Sequence, residues 1–400
     1  MEPMNPDPET GEVSLFDPEF AAEPQPVFKR MRAQCPVTRA ALTGGPVVSK
    51  YEDVVWALRH PEIFSSAMET HVFLGTVRPM IPQQIDPPLQ TRFRKILDPQ
   101  FSRKRMVEIE PSIRRHANQL IDKVIDQGEC EFDEAFAIPL PCTAFLHLMG
   151  LPEAELDLFL ELKDGVIRPP VDPRDLIAAG EYRLQIGQRI YGYFEKLIDE
   201  RRAAPRDDIM TYLVNVDFDG RPLTREEILD ISYLLLLGGL DTVTATLDCM
   251  ITYLARHQDR RQAIVDNPEL MAPAIEEMLR QQTPVMMVPR VIAQDYELDG
   301  VSMKAGDSAT LMIGAANCDA AEFDASDEVM LDRGANRHLA FGGGPHRCLG
   351  SHLARLELRV ALQEFHKRIP EYAIAEGTEI HFSPGIRQAD HLPLVFPVGS

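Results

Sequence analysis

A helix that is apolar on nearly every side most strongly constrains how this chain can fold. Thr224-Arg225-Glu226-Glu227 is a capping box, in which the Thr and Glu side chains bind free backbone N–H groups at a helix start. A proline-free, mostly apolar segment follows from Ile228 to Leu254. A helix that is hydrophobic all round must be covered on all sides. We therefore expect it to cross the centre of a large domain.

The remaining pattern is mostly helical up to about residue 285. Apolar residues recur at helical spacing in Arg105–Ile125, Leu156–Val166 and Gly180–Arg201. Beyond that point the pattern favours short strands, and the dipeptide Asp299-Gly300 is a hairpin turn signal. It predicts the strands Val291–Leu298 and Val301–Lys304, with further short strands within Ala373–Val398.

These elements predict a mainly α fold with small β-sheets that are segregated from the helices. Residues 1–25 are rich in proline and acidic residues, and we expect them to form an N-terminal arm. No convincing linker follows, so residues 26–400 are expected to form one domain.

The chain is strongly acidic, with 41 Lys and Arg against 62 Asp and Glu and a net charge of −21. A general nucleic-acid binder needs a strong basic footprint, so the charge excludes that class but leaves room for a local basic patch. The acidic N-terminus lacks the apolar segment of a signal peptide. The densest apolar run, Tyr233–Leu240, is far shorter than a membrane span. These features predict a soluble, cytoplasmic protein.

The segment Phe341–Gly350, with the sequence FGGGPHRCLG, contains the most informative of the six cysteines. Three glycines and a proline give a loop in which other groups can approach the backbone closely. An apolar stripe after Cys348 predicts a helix, whose free N–H groups and dipole would stabilise a thiolate. A single thiolate at an uncrowded position suits haem iron. Two alternatives remain open here: a buried structural cysteine, or a nucleophile with His346 as its base.

Four motifs, in order along the whole chain, resemble those of the cytochrome P450 family. Phe341–Gly350 resembles its haem-binding signature F-x-x-G-x-x-x-C-x-G, and Gly238–Thr242 resembles its oxygen-binding motif. Glu277–Arg280 resembles its E-x-x-R motif, and Asp86–Arg94 resembles the segment that leads into a haem-contacting helix. The chain is most similar to the soluble bacterial class, which includes the camphor hydroxylase. The resemblance implies the cytochrome P450 fold, with a long central helix over a buried haem b (iron protoporphyrin IX).

The resemblance also implies a role for each motif. Cys348 would be the axial ligand of the iron, Thr242 would hydrogen-bond the bound oxygen, and Asp241 would help to deliver protons. Gly238 and Gly239 each cost a helix roughly 1 kcal/mol relative to Ala, so they indicate close backbone approach or a local distortion of the helix, and the resemblance implies that they contact the haem. From spacing alone, Asp241-Thr242 is equally a solvated kink, or a Thr that bonds back to its own helix.

Further haem contacts and a structural triad follow from the same motif positions. The implied haem contacts, besides the two glycines, are Gln90, Arg94, Arg290, Phe341, His346 and Gly350. The implied triad that locks the cysteine loop is Glu277, Arg280 and Arg333. Without the resemblance, Glu277 and Arg280 are an i, i+3 ion pair on one helix face, which at a protein surface adds little stability.

A mostly apolar set of residues is the candidate substrate pocket, although each could equally be core. The set is Met68, Val72, Phe73, Leu74, Arg78, Leu237, Val243, Val285, Met286, Ile386 and Arg387. Ligand cavities are usually apolar, so the substrate is expected to be an apolar small molecule, such as a terpenoid or a steroid. The two arginines suggest an acidic or carbonyl end on that molecule.

The resemblance implies a monooxygenase that receives electrons from another protein, since no flavin or iron–sulfur domain is recognisable in the sequence. A cluster of basic residues would attract an acidic ferredoxin, itself reduced by an NAD(P)H-dependent reductase. The cluster is Arg92, Lys95, Arg103, Lys104, Arg105, Arg114, Arg115 and Arg347. Two rival functions are a peroxide-driven haem-thiolate peroxygenase and a non-catalytic haem-based ligand binder or sensor.

Overall fold

The structure is a computed structural model that describes residues 12–15, 17–34, 36–41, 43–68, 74–172 and 175–398. The helices are α1 (Pro18–Ala22), α2 (Pro24–Gln34), α3 (Tyr51–Arg59), α4 (Leu89–Leu97), α5 (Arg103–Asp122), α6 (Pro139–Met149), α7 (Leu156–Ile167), α8 (Leu176–Ala203), α9 (Ile209–Asn215), α10 (Arg225–Leu240), α11 (Thr242–Arg256), α12 (Gln258–Asp266), α13 (Met271–Gln282), α14 (Ile313–Asn317) and α15 (Ser351–Arg368). The strands are β1 (Glu12–Val13), β2 (Val37–Ala40), β3 (Pro46–Val48), β4 (Phe64–Ser65), β5 (Glu129–Glu131), β6 (Asp217–Phe218), β7 (Arg221–Pro222), β8 (Val288–Ile292), β9 (Tyr296–Leu298), β10 (Val301–Met303), β11 (Ser308–Leu311), β12 (Ala373–Ile374) and β13 (Pro393–Val395).

The prediction of a mainly α fold with small sheets is confirmed. The capping box at the start of α10 is present, with Thr224 accepting from the Glu227 N–H and Glu227 accepting from the Thr224 N–H. The predicted hairpin joins β9 to β10, and Asp299 and Gly300 both take positive φ angles, of 50° and 77°. Such a turn matches the natural twist of two paired strands.

The apolar helix predicted over Ile228–Leu254 is present and is interrupted once, at Asp241, directly after the two glycines that indicated close backbone approach or a local distortion. There α10 ends, and Asp241 has φ −121° and ψ −37°. Two glycines weaken the helix just before this point, and the Asp241 side chain is bound by cations, as described below. The broken stretch Arg225–Arg256 is apolar and long enough to cross a membrane, but 72% of its most apolar window is buried inside the protein, as in a core helix.

Contacts divide the described chain into two units. The first takes its described residues from Met1–Ser65, Met106–Leu140 and Thr242–Ser400, and the second from Ser66–Arg105 and Pro141–Asp241.

The first unit contains most of the β structure. Its largest sheet has the strand order β1-β2-β3-β11-β8-β4, and a second sheet has the order β12-β13-β5. The described part of the predicted N-terminal arm belongs to this unit: β1 pairs in parallel with β2, and Phe20 in α1 is fully buried against Phe28 in α2.

The second unit is mostly helical and is built around α8 and α10. Its described segment after Met68 lies tightly on these helices, because the hydroxyl of Tyr233 donates to the Leu74 carbonyl at 2.7 Å. Gly75 and Gly187 meet so closely that a Cβ on either would overlap the backbone opposite. Glycine is therefore required at this crossing.

Candidate active site

The loop before α15 presents Cys348 next to a helix start, as the sequence predicts. Its N–H donates to the Phe341 carbonyl at 2.8 Å, which closes the loop into a compact turn. Gly344 has φ +61°, and a Cβ there would overlap the carbonyl of Leu58 in α3. The loop can therefore fold only with glycine at this position.

Cys348 differs from the other described cysteines in being accessible, as a sulfur ligand to a cofactor must be. Among the described cysteines, Cys142, Cys249 and Cys318 are buried and Cys130 is half-buried, whereas Cys348 is exposed. Within the described ranges, no group of three or more His, Cys, Asp or Glu side chains could hold a metal ion alone. A lone accessible thiolate is suited to iron whose other ligands come from a porphyrin.

A buried ionic cluster in the first unit holds the segment before the cysteine loop. Arg280 binds Glu277 bidentately, with nitrogen–oxygen distances of 2.9 and 2.8 Å, and Arg333 donates to the same carboxylate at 2.8 Å. Glu277 and Arg280 are both fully buried. Arg280 also donates to the carbonyls of Asn317 and Ser326. The structure thus brings the three predicted residues together and gives them structural contacts.

A second cluster beside it was missed by the sequence reasoning. Glu276 binds Arg355 bidentately, with both distances at 2.7 Å, and contacts His338 at 2.9 Å. The guanidinium of Arg355 lies 4.2 Å from the ring centroid of Phe341, in cation–π geometry. Burial would raise the pKa of Glu276, but the bonds from His338 and Arg355 lower it to about 2. This carboxylate therefore stays ionised and fixes Phe341 through Arg355.

The two glycines before the helix break face different surroundings. A Cβ on Gly239 would lie 2.6 Å from the Phe145 ring in α6, so this glycine allows close helix packing. A Cβ on Gly238 would meet nothing within 4 Å, although Leu236 and Leu237 beside it are buried. Gly238 therefore leaves the helix surface open at this position, beside two buried leucines.

Asp241 is a fully buried acid held by two cations of the same unit. Lys163 Nζ donates to its Oδ1 at 3.0 Å, and Arg168 donates to both oxygens at 2.9 and 3.1 Å. Burial would raise the pKa of the Asp241 carboxyl, but the charges and hydrogen bonds of Lys163 and Arg168 hold it below its usual value. The carboxylate is therefore ionised next to the hydroxyl-bearing Thr242. Lys163 occupies the apolar stripe of α7 with Phe159 and Val166, a signal that marks a buried lysine.

The residues that the resemblance assigns to the haem fall in both units. In the second unit, Gln90 is buried in α4 and Arg94 donates to Asp98 at 2.6 Å. In the first unit, Arg290 is buried in β8, where its Nη1 donates to the Pro289 carbonyl at 2.7 Å. His346 ends a short helical turn two residues before Cys348, and Gly350 caps α15. Within each unit these side chains are of the donor type that carboxylate groups such as haem propionates require.

The apolar pocket candidates divide into distinct environments. Met68, Leu237 and Val243 are buried, and Leu74 is half-buried. Val285 forms an isolated β-bridge with Ile386, whereas Met286 is fully buried in a core cluster with Phe20 and Phe28. Val72 and Phe73 lie outside the described residues.

The two arginines of the predicted pocket are bound by internal acceptors, which corrects the idea that they bind an acidic or carbonyl end. Arg78 binds both oxygens of Asp230 through Nε, at 3.1 and 2.9 Å. Arg387 is 4% exposed and donates to the carbonyls of Ala21, Ala22 and Gln282. Both guanidinium groups therefore already have partners inside the protein.

Part of the basic cluster is neutralised by neighbouring acids. Arg92 pairs with Asp219, Arg105 pairs with Asp207, and Arg114 pairs with Glu110 and Glu364. The remaining members are exposed, namely Lys95, Arg103 and Lys104 in the second unit and Arg115 and Arg347 in the first.

Comparisons with known proteins agree with the motifs. The family described as Cytochrome P450 matches residues 261–368. A steroid C26-monooxygenase of Mycolicibacterium smegmatis is 33% identical over 395 residues, covering 96% of this chain and 96% of the relative. A vitamin D(3) 25-hydroxylase of Pseudonocardia autotrophica is 32% identical and covers 92% of each chain. The crystal structure of CYP109E1 from Bacillus megaterium with testosterone has a TM-score of 0.89 at 28% identity, covering 96% of this chain and 100% of that one.

Proposed function

Since the chain belongs to the cytochrome P450 family and is a haem monooxygenase, we propose that it inserts one atom of O2 into an apolar small molecule. The observation that carries this proposal is the ionised, buried Asp241 beside Thr242 at the helix break. A monooxygenase must deliver two protons for each O2, because the second oxygen atom leaves as water. A buried carboxylate next to a hydroxyl is suited to that delivery.

The haem b of this family, once bound, supplies the iron that activates dioxygen, and electron donation from the Cys348 sulfur favours O–O cleavage. The bond from the Cys348 N–H to the Phe341 carbonyl fixes the loop that presents this sulfur. Gln90, Arg94, Arg290 and His346 are the proposed partners of the haem propionates.

Asp241 and Thr242 are the proposed catalytic residues. Lys163 and Arg168 keep the Asp241 carboxylate charged in the interior, where an unpaired carboxylate would take up a proton instead. A charged carboxylate can accept a proton from solvent and donate it to the Thr242 hydroxyl, which in the same step donates its own proton onward. Arg168 is 31% exposed at its side chain, so it links this carboxylate to the protein surface.

The proposed substrate is a neutral terpenoid, steroid or similar molecule. The described pocket candidates other than the two arginines are apolar, and both arginines are bound internally. Two of the relatives are named for action on steroids and vitamin D(3).

The proposed electron donor is an acidic ferredoxin with its reductase, and the proposed location is the cytoplasm. Exposed Lys95, Arg103 and Lys104 supply the positive charge in the second unit. We expect Arg103→Glu to slow ferredoxin-dependent reduction, most strongly at low salt. The matched control is Arg202→Glu, which reverses an exposed charge on α8. Equal reduction rates in both variants at all salt concentrations would exclude the patch.

The experiment that tests the function starts with a steroid and terpenoid screen, read by the spin-state shift of the iron. Compounds that bind are then incubated with a ferredoxin, its reductase, NAD(P)H and ¹⁸O₂. The expected result is a product that carries one labelled oxygen atom. Product formed only when hydrogen peroxide is added would identify a peroxygenase instead. Binding without product under either condition would identify a ligand binder or sensor.

A further inference from the structure

We propose that Cys142 is a positioning residue for proton delivery, because its thiol holds the backbone carbonyl at the break between α10 and α11. Cys142 lies in α6 and is fully buried. Its Sγ donates to the Leu240 carbonyl at 3.4 Å, and both residues belong to the second unit. The inference rests on the proposed function, since it concerns the residues that supply protons.

The Leu240 carbonyl needs a partner because of its place in the helix. The last carbonyls of a helix have no N–H partner within that helix, and Leu240 is the final residue of α10. A buried carbonyl without a partner is unfavourable. The thiol of Cys142 supplies a donor here, although S–H is a weak one.

Elements α6 and α7 bind three consecutive residues at the break. Phe145 of α6 packs against Gly239, and Cys142, three residues earlier on the same helix face, binds the Leu240 carbonyl. Lys163 of α7 binds the carboxylate of Asp241. The backbone of the break is thus held by α6, and the acidic side chain by α7 and its flanking Arg168.

The direction of the Leu240 carbonyl also sets the direction of the next residue. The Leu240 carbonyl and the Asp241 N–H belong to one planar peptide unit. Rotation of that plane changes the backbone angles from which the Asp241 and Thr242 side chains extend. Cys142 therefore acts on these two residues through the backbone, whereas Lys163 acts on the carboxylate directly.

The chain offers a matched control for an ordinary buried thiol. Cys249 in α11 is also buried, and its Sγ donates to the Arg387 carbonyl at 3.1 Å. Like Cys142, Cys249 is a buried thiol that donates to a backbone carbonyl, but the carbonyl it binds is remote in sequence from the helix break.

The test compares Cys142→Val, Cys142→Ser, Cys249→Val and Asp241→Asn as purified holoenzymes. The probe is the steroid with the largest spin-state shift in the screen, and the readout is the fraction of NAD(P)H electrons found in product rather than in hydrogen peroxide. We expect Cys142→Val to lower that fraction about 3- to 10-fold, as the loss of one hydrogen bond implies. Cys142→Ser, which keeps a donor, should restore it, and Cys249→Val should leave it unchanged.

An infrared readout does not depend on turnover. The S–H stretching band that disappears in Cys142→Ser should lie at the lowered frequency of a hydrogen-bonded thiol, and a band at the frequency of a free thiol would overturn the inference. The fraction of electrons found in product is the coupling. If Cys142→Val has the same coupling as the parent while Asp241→Asn has lower coupling, the inference about Cys142 is overturned and the proposed role of Asp241 stands. Unchanged coupling in Asp241→Asn would overturn the proposed role of Asp241 and the inference with it.

Discussion

Replacing Lys163 by Met removes one of the two cations that hold the Asp241 carboxylate in the interior. The side chains of Lys163 and Asp241 are almost fully buried, with 2% and 0% of their surface exposed. Removing one partner of a buried ion pair generally costs about 3–5 kcal/mol, because the other charge stays buried. Arg168 keeps its two bonds to Asp241. We therefore expect Lys163→Met to lower the free energy of unfolding by about 3 kcal/mol at pH 7, the lower end of that range.

The loss should depend on pH in a defined direction. In the parent the folded pKa of Asp241 is lowered, so its stabilising contribution is present above the unfolded value and is lost only as the pH falls through the folded pKa. In Lys163→Met the burial of Asp241 is opposed by one cation fewer, so its folded pKa rises. Protonation then removes the poorly paired charge, and the difference in unfolding free energy between variant and parent should shrink as the pH falls through the raised folded pKa of Asp241.

Urea unfolding followed by circular dichroism at several pH values measures both effects. Asp241→Asn and the double variant complete a double-mutant cycle, in which we expect an interaction energy of about 1–3 kcal/mol. Lys196→Met is the control, because Lys196 is exposed on α8 and should change stability by less than about 0.5 kcal/mol. A loss in Lys163→Met no larger than in this control, or one that is equal at all pH values, would refute the reasoning.

Three further outcomes are expected in the first unit. Gly344→Ala should prevent haem loading, measured by the haem-to-protein absorbance ratio, because its Cβ would overlap the carbonyl of Leu58 at φ +61°; Gly334→Ala, which meets nothing within 4 Å, should load normally. Glu277→Ala should lower the thermal midpoint and the haem content together, since it leaves a fully buried Arg280 without its carboxylate, at about 3–5 kcal/mol; a stable, fully loaded variant would contradict this. Cys348→Ala should lose the red-shifted carbon monoxide band of a thiolate-ligated haem, and retention of that band would contradict the ligand assignment.

Features that depend on neighbouring residues could be read from the sequence. The capping box at Thr224 and the turn at Asp299-Gly300 depend on a few adjacent side chains and backbone angles, and both are present. The position of Cys348 before a helix follows from the glycines and the apolar stripe around it. The roles in oxygen chemistry came from the family resemblance and remain proposals.

Features that depend on partners distant in sequence could not be read in this way. Asp241 binds Lys163, which lies 78 residues earlier in the chain, and no sequence pattern connects the two positions. Asp230 lies 152 residues after Arg78, and this pair removes a cation that the sequence had assigned to the substrate. The glycines and Asp241-Thr242 indicated a local distortion of the helix, but the contacts that fix it come from residues distant in sequence, such as Cys142 and Lys163.

The bonds from Arg387 to Ala21 and Ala22 join the two ends of the chain, across 366 and 365 residues. The N-terminal residues therefore complete the coordination of a guanidinium that sits one position after the strand-bridging Ile386. An expression vector that trims the protein to start after residue 22 would leave that buried charge short of two acceptors.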